Sequence, residues 1–591
     1  MSRSLGPSIM GNFQLRAGVK YPAASRAPGT LIIVFAAILL MAPELVAGLT
    51  VSDNFRFNLI WPEQFVELFR SGHLYPRWLP RSWDGLGSPV FYFYPPLFFW
   101  ISALLDTLTF SALPPERLVP LASLFLLAAS GFAMRAWLRA NTSETRALGG
   151  AILYVSAPYH LYDLYGRGAL AEASAYASVP LIMLALARLE RDRRFLPVLA
   201  LAFALLLFSH LPMALLVGLF LIGPYVVFIA LRAAQPFRFL LRASAAGVLG
   251  ILLSAIFVLP ALELLPQVSP TALSGSLYRP ENWFFWHVRA GIMSGRMWLI
   301  VPISTGALLL ATASAFGTRA RSRNWDQLFW SILTILLVAL VAGLVPLVWQ
   351  LPGLRLVQFP WRALLLVEFS TVTLVAMTRL PSRNPLLLAG AAAVGFAYLV
   401  LLMISAHMIG RTWSAGQQTA GEIRTYYRDA PEYLPAGTPI HQGDGPDSAP
   451  IVLPDLPLAS AADPRARLRA QPAKDGGMTM SLDTPAPTSI LLRRFYFPHW
   501  QLKDEKGRRV EIVEDSSRRV ISFRAPAGRS VFRLETGTAP HERLGRILSL
   551  VALLLVGAIA SGEFLMRKAR EDNGRPRTDG TSLEAARLPL I

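Results

Sequence analysis

Long apolar runs separated by short polar stretches fill the first two thirds of the chain. Most are about 18–25 residues long, enough for an α-helix to cross the hydrocarbon core of a bilayer. The pattern predicts twelve membrane spans. The first covers residues 30–49 and follows a tail carrying Arg3, Arg16, Lys20 and Arg26. It has no small-residue cleavage site and exceeds a signal-peptide core, so it reads as a retained helix. Spans over 117–138, 147–159 and 173–189 follow, then a hairpin through Ser209, His210, Leu211 and Pro212. A seventh runs out to Pro260; 298–316, 328–348, a tenth ending near Arg379 and Arg383, 385–409 and 547–565 complete the set.

Residues 94–113 are apolar enough to look like a further span, but they open on Pro95-Pro96, carry Asp106 and close on Pro114-Pro115. If they crossed, Arg135, Arg139 and Arg146, and the cluster from Arg188 to Arg194, would lie outside. Read as a juxtamembrane or re-entrant helix, they leave those clusters inside, where basic loop residues belong. Both termini are then cytoplasmic.

The alternation changes after the eleventh span. Past a stretch rich in Pro, Ala and Asp (441–475) come short period-two runs, SILLRRFYF, RVEIVE, RVISFRAP and SVFRLET, separated by turn signals such as DEKG and PAG. These predict a small antiparallel β domain, a sandwich or jelly roll. The expected organisation is a cytoplasmic tail (1–29), a membrane domain (30–409) with a first outer loop (50–116), and an extracytoplasmic β-rich domain (410–544). A last helix (545–566) and a basic cytoplasmic tail (567–591) end it.

Composition agrees. Of 591 residues, 53% are hydrophobic and only 16% charged, against about 25% charged in soluble domains; the mean hydropathy is +0.44. The net charge of +19 sits mostly in inner loops, so it follows membrane orientation rather than nucleic-acid binding. There is no cysteine, which excludes disulfides, thiolate metal sites and cysteine nucleophiles and suits an exported domain. No histidine pair has zinc-helix spacing, and no glycine-rich nucleotide loop is present.

The candidate chemistry lies on the outer side. Residues 52–97 form a long loop rich in Tyr, Trp and Arg, opening at Asp53 just past the first span. A carboxylate there can accept a proton as general base; its alternative is a salt bridge to Arg56. Nine arginines, Arg56, Arg77, Arg81, Arg167, Arg279, Arg289, Arg296, Arg355 and Arg362, fall in outer loops against the charge trend. Their guanidinium forks suit the phosphate of a membrane lipid, although snorkelling or pairing with Asp84, Asp163 or Glu172 would also account for them. In YHLYDLYGRGALAE, Asp163, Arg167 and Glu172 crowd one junction, and Gly166 and Gly168 let the backbone turn tightly around Arg167. The span interiors read as bland, which disfavours a transporter with ionisable groups at the midplane.

The succession SDNFRF, GHLYPRWLPRSWDGLGSPVFYFYPPL, APYHLYDLYGRGALAE, VQFPWR and EYLP resembles the bacterial membrane proteins labelled 6-pyruvoyl-tetrahydropterin synthase-related. That label fits no chemistry here, since a pterin synthase needs a histidine zinc site. In architecture the family is similar to the GT-C superfamily of glycosyltransferases, which take sugar from a polyprenyl-phosphate donor outside the cytoplasm and usually invert the anomeric centre. The resemblance implies a GT-C-like polytopic helical membrane protein with about 12 transmembrane helices in a bacterial inner membrane. Its expected partners are membrane lipid, a polyprenyl-phosphate-linked sugar and an envelope glycan, lipid or protein acceptor.

The resemblance also assigns roles. Asp53 matches an acid of the first outer loop that acts as base or orients the acceptor; Glu172 or Asp163 matches a second acid, and Pro95-Pro96-Leu97 a juxtamembrane motif. Arg167 and Arg362, with Arg56 and Arg77, would hold the donor phosphate. Tyr75, Trp78, Asp84, Tyr94, His160 and Tyr165 would contact substrate. Many relatives have paired acids, or an acid just before the PPL; this chain has Asp53-Asn54 and Tyr94. A divalent metal ion is the only cofactor the resemblance brings into view, and no residue is assigned to it. A flippase for a lipid-linked substrate and a non-catalytic assembly scaffold are the alternatives.

Overall fold

The computed structural model describes residues 27–269, 279–285, 294–319, 325–378, 385, 429–438 and 456–573. Among these, eight helices are long and apolar enough to cross a membrane: Pro28–Ala47, Glu116–Arg139, Leu170–Leu189, Leu211–Ala230, Pro236–Leu253, Leu299–Phe316, Pro360–Met377 and His541–Glu563. Four apolar helices are shorter: Leu97–Leu108, Phe195–Ser209, Ala255–Gln267 and Trp325–Val341. These helices do not confirm the expected count of twelve. Residues 147–159 form two pieces, Glu144–Val155 and Pro158–Tyr165, because Pro158 lacks the N–H that would continue the first helix. The expected span at 385–409 lies outside the described residues, apart from residue 385.

The helix Phe55–Arg70 is amphipathic. It buries Phe55, Leu59, Trp61, Phe65 and Leu68 and turns Glu67 and Arg70 outward. Arg70 meets Asp106 through two hydrogen bonds, 2.7 and 2.5 Å. Asp106 ends the helix Leu97–Leu108, so the acid that interrupts this apolar stretch is neutralised by its neighbour. At 12 residues that helix is about 18 Å long, too short to cross. It packs against Phe55–Arg70, Pro115–Arg139 and Leu170–Leu189.

Among the described residues the β domain has nine strands: β1 (Ala459–Ala461), β2 (Arg467–Pro472), β3 (Met478–Thr484), β4 (Thr488–Phe495), β5 (Trp500–Asp504), β6 (Arg509–Val510), β7 (Val513–Glu514), β8 (Val520–Ala525) and β9 (Gly528–Thr536). They form two antiparallel sheets, ordered β1-β4-β8-β7 and β2-β3-β9-β5-β6. Alternation along β3 and β4 turns Met478, Met480, Leu482, Ile490 and Leu492 into one core, as a period of two requires.

That core is not closed within the domain. Trp78, Trp83, Leu86 and Tyr92 of the loop that follows Phe55–Arg70 belong to the same buried cluster. Arg494 of β4 donates to the carbonyls of Pro80 (3.0 Å) and Gly85 (2.6 Å), and the Phe495 N–H to that of Leu86. The loop is thereby built into the β domain, and the final helix, Pro540–Asn573, returns to pack on Ala255–Leu264 and Pro236–Leu253.

Candidate active site

The site begins at a turn. The helix Pro158–Tyr165 ends at Gly166, and Gly168 takes φ +61° before Leu170–Leu189 starts. A Cβ on Gly168 would run into Ser52 Oγ and Asn58 Nδ2, so only glycine lets the segment 52–58 lie this close. The Asp53 N–H donates to Gly166 O (3.1 Å), the Asn54 N–H to Arg167 O (3.0 Å), and Asn58 Nδ2 to Gly168 O (2.8 Å). Asp53, itself exposed, is thus fixed by its backbone beside the Gly-Arg-Gly turn.

Arg167 points from that turn into a buried ionic network. Its Nη1 donates to Asp163 Oδ1 (2.5 Å), Glu172 Oε2 (2.8 Å) and the Tyr159 hydroxyl (3.1 Å). Its guanidinium lies 4.5 Å from the ring centre of Trp361. Arg362 arrives from the turn Pro360–Ala363 and donates from Nε to the same Glu172 oxygen (3.1 Å), while its Nη1 donates to Val357 O (2.6 Å). Tyr159 donates to the other Glu172 oxygen (2.6 Å). One carboxylate therefore bridges two guanidiniums. Burial, then the charge of Glu172, push the Asp163 carboxyl well above its ordinary range against the pull of Arg167. Neither Arg167 nor Arg362 uses its Nη2 on another described residue.

A second acid stands deeper. Glu368, inside Pro360–Met377, is buried and accepts the Tyr159 N–H (2.6 Å) and the Tyr176 hydroxyl (2.8 Å). Glu44, inside Pro28–Ala47, accepts the Thr50 N–H (3.1 Å). This corrects the expectation of bland span interiors: an acid within an apolar run is costly unless partnered, and both have partners. An isolated Glu in LLLVEFSTV was a visible signal.

Beside the network runs an aromatic wall. Trp61 packs edge-on against Tyr94 (4.8 Å between ring centres) and Tyr433 (6.3 Å), and Tyr433 stacks on Phe93. The half-buried Tyr94 hydroxyl is pushed up to about 12, by burial first, with Arg362 and Arg167 opposing and Glu172 and Glu432 adding. Arg56 is half-buried, its guanidinium 5.1 Å from the Phe57 ring centre.

The other candidates lie elsewhere. Arg77 is buried between Tyr75 (4.2 Å) and Tyr92 (5.1 Å), with Nε 3.3 Å from Glu542 of the final helix and Nη2 donating to Ile256 O. Trp78 packs on Phe497, His499 and Trp500 of the β domain. Asp84 is exposed on a tight turn at φ +53°. His160 stacks on Tyr176, ring centres 3.6 Å apart, and Tyr165 donates to Leu40 O (2.6 Å), so both are held in the interior. Arg289 lies outside the described residues, as does the side chain of Arg296.

No three His, Asp or Glu side chains group as metal ligands among the described residues. Asp163 and Glu172 have a guanidinium between them, which fits an ion pair and not a dication.

No family model matches the chain, and no curated protein matches it, so the likeness to the pterin synthase-related family gains no support there. Among solved structures the chain is similar to the arabinofuranosyltransferase AftD from mycobacteria, at 19% identity and TM-score 0.37, over 65% of this chain and 26% of that one. Two classes of a mutant of that enzyme give 18% and 19% identity, TM-scores of 0.38 and 0.37, and 65% and 64% of this chain. The chain spans little more than a quarter of the length of those proteins (28% at most). It is a multi-pass membrane protein with a β domain, and the reading of its site rests on its own residues.

Proposed function

We propose that this protein is a GT-C-type glycosyltransferase of the bacterial inner membrane. It takes a sugar from a polyprenyl-phosphate donor and transfers it, on the outer side, to an envelope glycan, lipid or protein. The observation that carries this reading is the pair of guanidiniums bridged by Glu172 beside the turn that holds Asp53. The Nη2 groups of Arg167 and Arg362, which bond no other described residue, are donors for a phosphate that gains negative charge as it leaves. Asp53, exposed beside them, orients the acceptor or takes its proton. Tyr94 and its aromatic neighbours offer faces for a sugar or prenyl chain.

The test is turnover of radiolabelled polyprenyl-phosphate sugars by the protein in lipid, wild type against Asp53→Asn. Loss of at least about 100-fold in the variant supports both the transferase and the role of Asp53. Turnover that survives keeps the transferase and removes Asp53 from the chemistry. One arrangement favours the scaffold reading: Glu172 already pairs with both arginines internally. Absence of turnover with every donor, with folding intact, selects it.

A further inference from the structure

We propose that Glu432 is a further catalytic residue of this site, the carboxylate that receives the proton of the acceptor hydroxyl. The proposal rests on the transferase reading and goes beyond it, because Glu432 lies in neither the first outer loop nor the Asp163–Glu172 junction.

The argument starts with how firmly Glu432 is placed. It sits in the single turn Pro431–Tyr433, anchored on both sides. Before it, buried Asp429 accepts from Trp61 Nε1 (2.8 Å) and from the Ala430 N–H (2.7 Å). After it, Tyr433 stacks on Phe93, Leu434 O accepts the Ser269 N–H (2.9 Å), and the Ala436 N–H donates to Gln267 O (2.9 Å). A short segment tied at both ends to Phe55–Arg70 and to 265–269 holds its central residue on the aromatic wall. Glu432 itself remains partly exposed.

Its surroundings then set what it can do. Facing it are Arg56 of Phe55–Arg70, Asp429 of its own segment, and Tyr94 and Tyr433; residues 265–269, Leu-Pro-Gln-Val-Ser, bring no titratable group. The Tyr94 hydroxyl feels the charge of Glu432 and also those of Arg362, Arg167 and Glu172. Glu432 is joined to the arginine site by geometry as well: between ring centres, its neighbour Tyr433 lies 6.3 Å from Trp61 and Trp61 lies 4.8 Å from Tyr94. The helix that carries Trp61 also carries Asn58, which holds the Gly168 turn.

The buried acids of this region are committed, and exposed Asp53 is kept for orienting the acceptor. Glu172 bridges two arginines, Asp163 pairs with Arg167, Glu368 holds Tyr159 and Tyr176, and Asp429 is bound to Trp61. Glu432 makes no ion pair with another described residue. Burial pushes its carboxyl up to about 7; its backbone hydrogen bond opposes this, Asp429 adds to it and Arg56 opposes it. A base of that strength is matched to deprotonation near neutral pH.

The step balances. A lone pair of the acceptor oxygen forms the new bond to the anomeric carbon as the bond from that carbon to the phosphate oxygen breaks. The phosphate leaves with the electron pair toward Arg167 and Arg362. The acceptor's proton passes to Glu432 and from there to water. Asp53 then orients the acceptor.

The experiment is the pH dependence of kcat/KM for wild type, Glu432→Gln and Glu432→Asp, full-length in lipid nanodiscs with the radiolabelled donors. Wild type should lose activity below about pH 7, where the base is protonated. Glu432→Gln should lose at least about 100-fold in kcat with little change in KM, and its residual activity should lack that limb. Glu432→Asp should keep a limb at a shifted position, and it decides the matter if the Gln variant does not fold. A Gln variant with the wild-type rate, or an Asp variant whose limb does not move, overturns the assignment and leaves the transferase standing. Wild type inactive with every donor overturns both.

Discussion

At the scale of single residues, Glu172 is the side chain on which the site depends. It is 1% exposed and its two oxygens receive Arg167, Arg362 and Tyr159. Removing its charge leaves two buried guanidiniums without the carboxylate that bridges them. Breaking a buried ion pair on one side costs about 3–5 kcal/mol. Glu172→Gln is therefore expected to destabilise the protein by about 3 kcal/mol, read as a lower midpoint in denaturant titration in detergent. Glu172→Asp, which keeps the charge, should lose much less. Equal losses in the two variants would mean that shape, not charge, holds the network. Arg362 shows the converse geometry: one fork serves a carboxylate and a backbone carbonyl at once, which a lysine ammonium on a flexible stem does poorly.

At the scale of elements, the contact between the Trp78–Tyr92 loop and the β domain carries a pH dependence. His499 is buried among Trp78, Tyr92, Phe497 and Trp500, and neither ring nitrogen has a described partner. Burial, reinforced by Arg494, lowers its pKa to about 3. Above about pH 6.5 the imidazole is neutral folded or unfolded, and the contact has its full strength. Below that the unfolded form binds a proton that the folded form refuses, so stability falls by about 1.4 kcal/mol per pH unit until the pH nears 3. Tryptophan fluorescence against denaturant at pH 7 and pH 5 should show this loss in wild type and not in His499→Phe. A wild type equally stable at both would place the imidazole in contact with water. The strands of this domain were legible because alternation is a local signal, and Asp106 marked the end of a short helix through its polarity alone. Arg494 gave no such signal. Its partners, Pro80 and Gly85, lie 414 and 409 positions away, and nothing in SILLRRFYF distinguishes the arginine that turns inward.

At the scale of the whole molecule, three long-range ties join what the linear pattern presents as separate parts. Arg362 reaches Glu172 across 190 positions, Trp61 reaches Asp429 across 368, and Arg494 reaches Pro80 across 414. Asp163, Arg167 and Glu172 lie within ten positions of one another, so their neighbourhood could be read locally. Arg362 was placed with Arg167 only through the resemblance, and its bond to Glu172, like the position of Glu432, exists only when the chain folds back. The tie through Arg494 is the one most open to test, because it holds the β domain on the loop without entering the arginine network. Arg494→Ala removes two charge-assisted bonds, each about 1.5–3 kcal/mol, and leaves the carbonyls of Pro80 and Gly85 without that donor. The shared core of Trp78, Trp83 and Tyr92 remains, so the domain should loosen without unfolding. Exposed Arg81 then becomes the reporter: limited trypsinolysis should cut there faster in the variant, by about 10-fold or more for a 1.4 kcal/mol change in opening. The helical signal should melt as in wild type. If the variant instead lowers both transitions together, the loop, the β domain and the membrane helices form one cooperative unit, and Arg494 belongs to its core.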